Sequence, residues 1–341
     1  MPTNLMLDLD NAFSMQALTT VALQLPKPPT LLGDLGIFDD DSVSVTTVAV
    51  EYAEGSLKIV NPSPRGGPGE TIKHDKARLV TFPVPHFQRD DSVQADEVQS
   101  RRAFGTTDQL ETVMERVAKK IQRHKNDLEF TKEHQRIGAI AGKLTDRNGN
   151  VYADLFQTFG ITQPAAVSFA LGTDTTKVDD KCTEALDKLS DAVDMEVGGE
   201  TTPVTAVCGT AFWSALINHP SVRETYMNWQ AAKNLQGDRR VPFEFGGIRW
   251  VRYRTHAKAK AGNNNTPLIP DDTARFVIKG VPDLYIARYA PADYIETVNT
   301  EGEEIYARMW PMDNHKGYRL EVQTNVISLC TKPKALIRAT L

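Results

Sequence analysis

The spacing of apolar residues divides the chain before any motif is considered. A short amphipathic stretch, Ser14 to Leu25, leads into PKPP at 26–29, where prolines favour an extended polyproline conformation. This first part reads as an arm. From residue 43 the period switches to two. Val43 and Val45 alternate, the phase slips at Thr46–Thr47, and Val48, Val50 and Tyr52 resume on the other parity, which predicts a bulge or twist. The return leg has Val80, Phe82 and Val84 on one parity, interrupted by Pro83 and Pro85, and strand prolines belong on edges. Between the legs lies NPSPRGGPGE (61–70), with three prolines and three glycines that exclude regular strand and helix. Legs of about 18 residues make a finger about 60 Å long at ~3.3 Å per residue. A lone two-stranded ribbon is marginal in water, so the finger must rest on a surface, this chain's or another copy's.

Helical spacing follows. Leu110, Val113, Met114, Val117, Ile121, Leu128, Ile137, Ile140 and Ala141 mark one seam, opened by an Asp108-x-x-Glu111 box and closed at Gly142. The run is about 35 residues, a rod of about 50 Å. Its seam is narrow and charges occupy most other faces, so it reads as a spine supported on one side. Asn148–Gly149 predicts a hairpin turn between short strands. A second amphipathic helix spans about Asp180 to Val193. TPVTAVCG (202–209) reads as a buried strand, residues 210–235 as a helix broken at Pro220, and 243–254 as a hairpin turning at Gly246–Gly247. The segment 256–272 reads as a loop, and the C-terminal end as strand-rich. Strands and helices mix without regular β-α-β alternation, which predicts an α+β fold.

Composition removes several function classes. The 39 basic against 44 acidic residues give a net charge of −5, the wrong sign for a protein that wraps nucleic acid. The three cysteines, Cys182, Cys208 and Cys330, are widely spaced and form no Cys-x-x-Cys, which argues against a disulfide framework or a zinc site. The N-terminus lacks the basic and apolar regions of a signal peptide, and no window reaches the ~18 apolar residues of a membrane span. The chain is expected to be made in the cytosol.

Candidate chemistry is sparse. DLDN (8–11) resembles the Asp-x-Asp of aspartyl-phosphate hydrolases, but Ala12 stands where Thr or Val is needed. The seven histidines lack zinc-ligand spacing. Paired acids, including Asp271–Asp272, sit beside turns or helix starts, where capping explains them. Arg249, Arg252, Arg254, Lys258 and Lys260 surround Trp250 and Tyr253, a pattern that can grip single strands but also guards a hairpin edge. No catalytic, cofactor-binding or metal site emerges. A cytosolic hydrolase using the acids near 8–10 or 271–272 is the alternative reading. An arm, a finger and a thin spine make sense when copies share surfaces.

That order of elements, together with four stretches, resembles the tailed-phage major capsid proteins of the lambda-type E family. The stretches are RGG (65–67), GKLTDRNGNVYADLFQTFGI (142–161), LIPDDTARF (268–276) and QTNVISLCTKPKALIRATL (323–341). The resemblance implies the Hong Kong phage-like capsid fold. Its parts would be an N-terminal arm (1–40), an extended β-hairpin loop (41–95), a peripheral domain with the spine helix (96–195), an axial domain (196–320) and returning C-terminal strands (321–341). It implies hexamers and pentamers closing into an icosahedral shell around double-stranded DNA, assembled in the host cytoplasm, with scaffold, portal and decoration proteins as partners and only weak contact with DNA. Subunit contacts are expected at Arg65, Gly66 and Gly67 on the loop tip, and at Lys258, Lys260, Asp271 and Asp272 near the symmetry axes. Some relatives join subunits through a loop lysine and an asparagine. Lys58, Lys73, Lys76 and Asn263–Asn265 offer no supporting spacing, so noncovalent assembly is expected.

Overall fold

The computed structural model describes residues 14–52, 78–99, 112–195, 197–198, 202–223, 225, 241–254, 256–258 and 265–341. Ser14 opens the first helix, α1 (Met15–Gln24), by accepting a hydrogen bond from the Ala17 amide at 3.3 Å. Prolines keep the next residues out of helix until α2 (Leu31–Leu35), which the apolar pattern does not signal. An acidic strand, β1 (Asp39–Ser42), is equally unannounced. The finger's described legs are β2 (Thr47–Tyr52) and β3 (Arg78–Pro83), paired as a two-stranded ribbon. The strand starts where the phase slips: Val48 and Val50 are buried, whereas Val45 is exposed. Pro83 and Pro85 end the return leg. Beyond them β4 (His86–Gln94) pairs antiparallel with another strand altogether, followed by α3 (Ala95–Val98).

The spine is α4 (Val113–Ala141), 29 residues long. Its capping box is Thr112 with Glu115: the Glu115 amide donates to Thr112 Oγ1 at 3.2 Å, and the Thr112 amide donates to Glu115 Oε2 at 2.9 Å. The box expected at Asp108 and Glu111 lies outside the described residues. Gly142 ends the helix at φ 82°, where an added Cβ would meet the Phe156 ring at 2.2 Å. β5 (Lys143–Thr145) and β6 (Val151–Asp154) form the expected hairpin, and the Asp146 carboxylate accepts from the Asn148 and Asn150 amides across its turn. Next come α5 (Leu155–Phe159), β7 (Val167–Ser168), α6 (Val178–Val193), β8 (Val204–Cys208) and α7 (Thr210–Asn218). β9 (Phe243–Phe245) and β10 (Ile248–Arg252) turn at Gly246 and Gly247, at φ 59° and 73°, as a tight hairpin requires.

The segment 256–272, expected as a loop, contains a short antiparallel ribbon, β11 (His256–Lys258) with β12 (Asn265–Pro267). Backbone pairing forms there despite a composition of lysine, glycine and asparagine that carries no strand signal. The chain closes with β13 (Thr273–Ile278), β14 (Tyr285–Tyr289), β15 (Tyr306–Pro311), β16 (Gly317–Cys330) and β17 (Arg338–Thr340).

These elements divide into two compact units. The first comprises Met1–Val48, Phe82–Gln135 and Ala287–Ser328; the second comprises Ala49–Thr81, Arg136–Ile286 and Leu329–Leu341. The first holds most of a sheet ordered β1–β14–β16–β15, with β4 also pairing on β16. Leu18 and Ala22 of α1, Val117, Ile121 and Leu128 of the spine, and Met309, Leu320 and Val322 of the sheet form its core. The second unit holds a six-stranded sheet ordered β7–β17–β13–β8–β10–β9. There Phe169, Phe212, Trp250 and Phe276 form a closed aromatic cluster, with ring centroids 5.7–6.3 Å apart.

Candidate functional site

The first unit shows how the N-terminal segment 14–35, called the arm below, is held. Lys125 lies on the same face of the spine as Ile121 and Leu128 and is only 1% exposed. Its ammonium donates to the carbonyls of Ala22 at 2.7 Å, Leu23 at 3.2 Å and Leu25 at 2.7 Å. Three donors meet three acceptors, so the buried charge is fully hydrogen-bonded. Those acceptors stand at the C-terminal end of α1, where carbonyls lack helical partners and the helix dipole favours a cation. Burial nevertheless pulls the Lys125 pKa below its ordinary value, partly countered by the charge of Glu129.

Neighbouring spine residues extend the grip. Gln122 donates to the Pro26 carbonyl at 2.9 Å. Glu133, 2% exposed, accepts from the Leu32 amide at 3.0 Å at the start of α2. Glu304 receives Lys27 of the arm at 2.6 Å and Lys132 of the spine at 2.8 Å; Lys132 also meets Glu129 at 2.7 Å. Burial pushes the Glu304 pKa up, but Lys132 and Lys27 outweigh it and hold it at about 2. The spine is therefore not an apolar seam with solvated charges elsewhere. From Lys125 onward, Lys125, Glu129, Lys132 and Glu133 are all buried. The expectation of support on one side alone is corrected: the charged faces are covered too, and their charges are partnered.

A second polar cluster fixes β4 and α3. Asp91 meets His124 at 3.0 Å and Lys120 at 3.3 Å, and Lys120 also donates to the Ser92 carbonyl. Glu97 meets Lys120 at 3.0 Å and Arg116 at 3.3 Å. The Asp91 and Glu97 carboxyls sit below their ordinary pKa. Burial opposes this; for Asp91 the Ser92 amide, His124 and Lys120 prevail, and for Glu97 Lys120 and Arg116 do.

The expected interface residues fare differently. Arg65, Gly66, Gly67 and Lys260 lie outside the described residues, as do the acids at 8–10. Lys258 ends β11, its backbone paired in register with Asn265. Asp271 Oδ1 accepts from Thr210 Oγ1 at 2.6 Å, and its carbonyl accepts from the Phe212 amide at 2.8 Å. It thereby serves the first turn of α7. The Asp272 carbonyl accepts from the Leu341 amide at 3.2 Å, tying down the C-terminal strand. The Asp271 carboxylate thus has local structural work, while Asp272 contributes its backbone carbonyl. Among the described residues no group of histidines, cysteines and acids has the arrangement of a metal site.

Residues 14–341 match the family model described as phage major capsid protein E. The chain belongs to that family. The major capsid protein of Pseudomonas phage KPP10 is 29% identical over 350 residues, covering 97% of each chain. Among solved structures, a phage-related protein from Bordetella bronchiseptica RB50 superposes with a TM-score of 0.57 at 11% identity, covering 95% of this chain and 96% of that one. The capsid of cyanophage A-1(L) gives 0.51 at 14% identity, covering 96% of each. The fold is thus the α+β Hong Kong phage-like capsid fold, and the family's role is that of a phage major head protein. The hydrolase alternative finds no support: Asp271 is engaged by Thr210, and the relative's role is structural.

Lys125, Glu133 and Glu304 were not singled out by sequence reasoning. One signal was available: a lysine interrupting the apolar seam four residues after Ile121 and three before Leu128 marks a position where the charge must find partners.

Proposed function

We propose that this major capsid protein assembles noncovalently as hexamers and pentamers that close into an icosahedral shell around double-stranded DNA. The family match across 14–341 carries this reading. In it, residues 1–40 act as the arm, 41–95 as the extended loop, 96–195 as the peripheral domain, 196–320 as the axial domain and 321–341 as returning strands. The loop crosses a neighbouring subunit, so that Arg65, Gly66 and Gly67 contact another copy. Lys258, Lys260, Asp271 and Asp272 lie toward the symmetry axes. Assembly takes place in the host cytoplasm, with scaffold, portal and decoration proteins as partners, and the net charge of −5 favours weak contact with DNA. Expressed full-length protein, examined by sedimentation and electron microscopy, should form rings or closed shells. A stable monomer at every concentration and salt would overturn the reading.

A further inference from the structure

In the second unit, two arginines face each other across a strand pair. Arg275 of β13 and Arg338 of β17 are register partners. Directly opposed side chains on antiparallel strands stand about 5 Å apart at Cβ, and like charges so placed destabilise a sheet. Arg275 is 8% exposed and Arg338 is half-buried. The same cross-strand row continues from Arg275 to Val207 and then Val251, both buried. The guanidiniums thus border an apolar surface. Arg275 Nη1 and Arg338 Nε are buried without hydrogen-bond partners, and no carboxylate among the described residues pairs with either group. Burial and the charge of Arg338 pull the Arg275 pKa down to about 10, so Arg275 remains cationic at neutral pH.

Two adjacent guanidiniums, one enclosed and one half-buried, stand side by side with no carboxylate paired to either among the described residues. Each presents a planar fork of donors suited to two oxygens of one anion. We propose that Arg275 and Arg338 form a binding site for a small oxyanion, held jointly by the two forks. The anion's charge removes the repulsion between the strands and satisfies the orphaned donors. Two sources share this chemistry: a free anion such as inorganic phosphate, or a carboxylate presented by a neighbouring subunit in the shell. A duplex backbone is a poor candidate, because Arg275 is enclosed and a rigid double helix cannot follow it inward.

The test compares thermal unfolding of the full-length chain in inorganic phosphate and in chloride at equal ionic strength, for unassembled subunits and for shells. If the source is free anion, phosphate raises the melting temperature of wild-type subunits by about 3 °C or more, and Arg338→Gln abolishes the rise. If the source is a neighbour's carboxylate, phosphate has no effect on subunits. The melting temperature gained on assembly is then smaller in Arg338→Gln than in wild type. Arg338 is half-buried, so its replacement should leave the fold intact. Arg275→Met, which keeps length and loses charge, gives a second reading: it should raise the melting temperature of subunits in chloride and remove the same anion or assembly gain. A phosphate rise that persists in both variants, or no difference between variants and wild type in subunits and shells, overturns the proposal.

Discussion

The two units bury opposite kinds of interior. In the first, Lys125, Glu129, Lys132, Glu133 and Glu304 are wholly or largely withdrawn from water, and nearly every charge has a partner at hydrogen-bond distance. In the second, the centre is Phe169, Phe212, Trp250 and Phe276, and the only polar atom of the Trp250 ring donates to the Phe245 carbonyl at 3.1 Å. The aromatic core draws its stability from area and packing, which vary little with pH or salt. The charged interior depends on protonation and on complete pairing, because losing one partner strands the other in low dielectric. It also falls where the arm meets the spine, and the groups the spine grips are largely arm backbone atoms rather than arm side chains. The difference teaches that the aromatic core is insensitive to solution chemistry, while the joint between the N-terminal segment and the spine can be loosened by it.

The largest test of that contrast is Trp250→Ala. Removing a buried tryptophan from a closed aromatic cluster should cost about 3–5 kcal/mol, read as a lower denaturant midpoint with little dependence on pH. Leu128→Asp should be of the same order or abolish folding, since it places a charge in the apolar core beside two lysines that are already committed to other acceptors. A soluble, assembling Leu128→Asp variant would show that the seam is exposed. Next in size is Lys125→Ala. It leaves the carbonyls of Ala22, Leu23 and Leu25 without their donor and should cost about 1–3 kcal/mol. The loss should be local: amide exchange and protease cleavage should rise in residues 15–35, while the Trp250 environment keeps its fluorescence.

What the residue pattern conveyed follows the same division. Val117, Ile121 and Leu128 were legible because apolar residues at helical spacing must face a core. The turns at Asn148–Gly149 and Gly246–Gly247 were legible because few residues adopt those backbone angles. Strand β1 was not, because Asp39, Asp40 and Asp41 contain no alternation; an edge position tolerates acids, and Asp39 finds its partner in Arg288, 249 positions away. Helix α2 was not, because its start is stabilised by Glu133, a residue 101 positions away. The arm joint as a whole was hidden for this reason: a side chain that caps another segment's backbone leaves no complementary mark in that segment's sequence.

Acid should separate the units further. Glu304 is held at about 2, below its unfolded value near 4.5. A depressed carboxylate stabilises the fold above its unfolded pKa, and the stabilisation is lost as pH falls from there through the folded value. Arm exchange should therefore accelerate below about pH 4.5, and Glu304→Gln should show fast exchange at pH 7 and a flattened pH profile. Identical profiles in wild type and variant would remove Glu304 from the joint.

The smallest effect, opposite in sign, belongs to His86 on the exposed start of β4. Its Nδ1 faces Asn325 Oδ1 at 2.7 Å, and its Nε2 faces Gln88 Oε1 at 2.9 Å. Each amide's nitrogen is already committed, Asn325 Nδ2 to the Pro291 carbonyl and Gln88 Nε2 to Asp90 Oδ1. Both ring nitrogens therefore face acceptors, and only the doubly protonated ring donates to both. Burial opposes that charge, but the two hydrogen bonds and the nearby Asp293 and Glu321 carboxylates outweigh it and raise the pKa above 6.5. A raised histidine stabilises the fold below its unfolded pKa, and this contribution is lost as pH rises through the folded value. Because the ring is largely exposed, solvent screening keeps the effect small. The proton NMR titration of the His86 ring should show a midpoint above 6.5, moving down in Gln88→Leu. A midpoint at or below 6.5 would mean that one amide turns over to accept the neutral ring, and that this polar chain adapts to pH instead of resisting it.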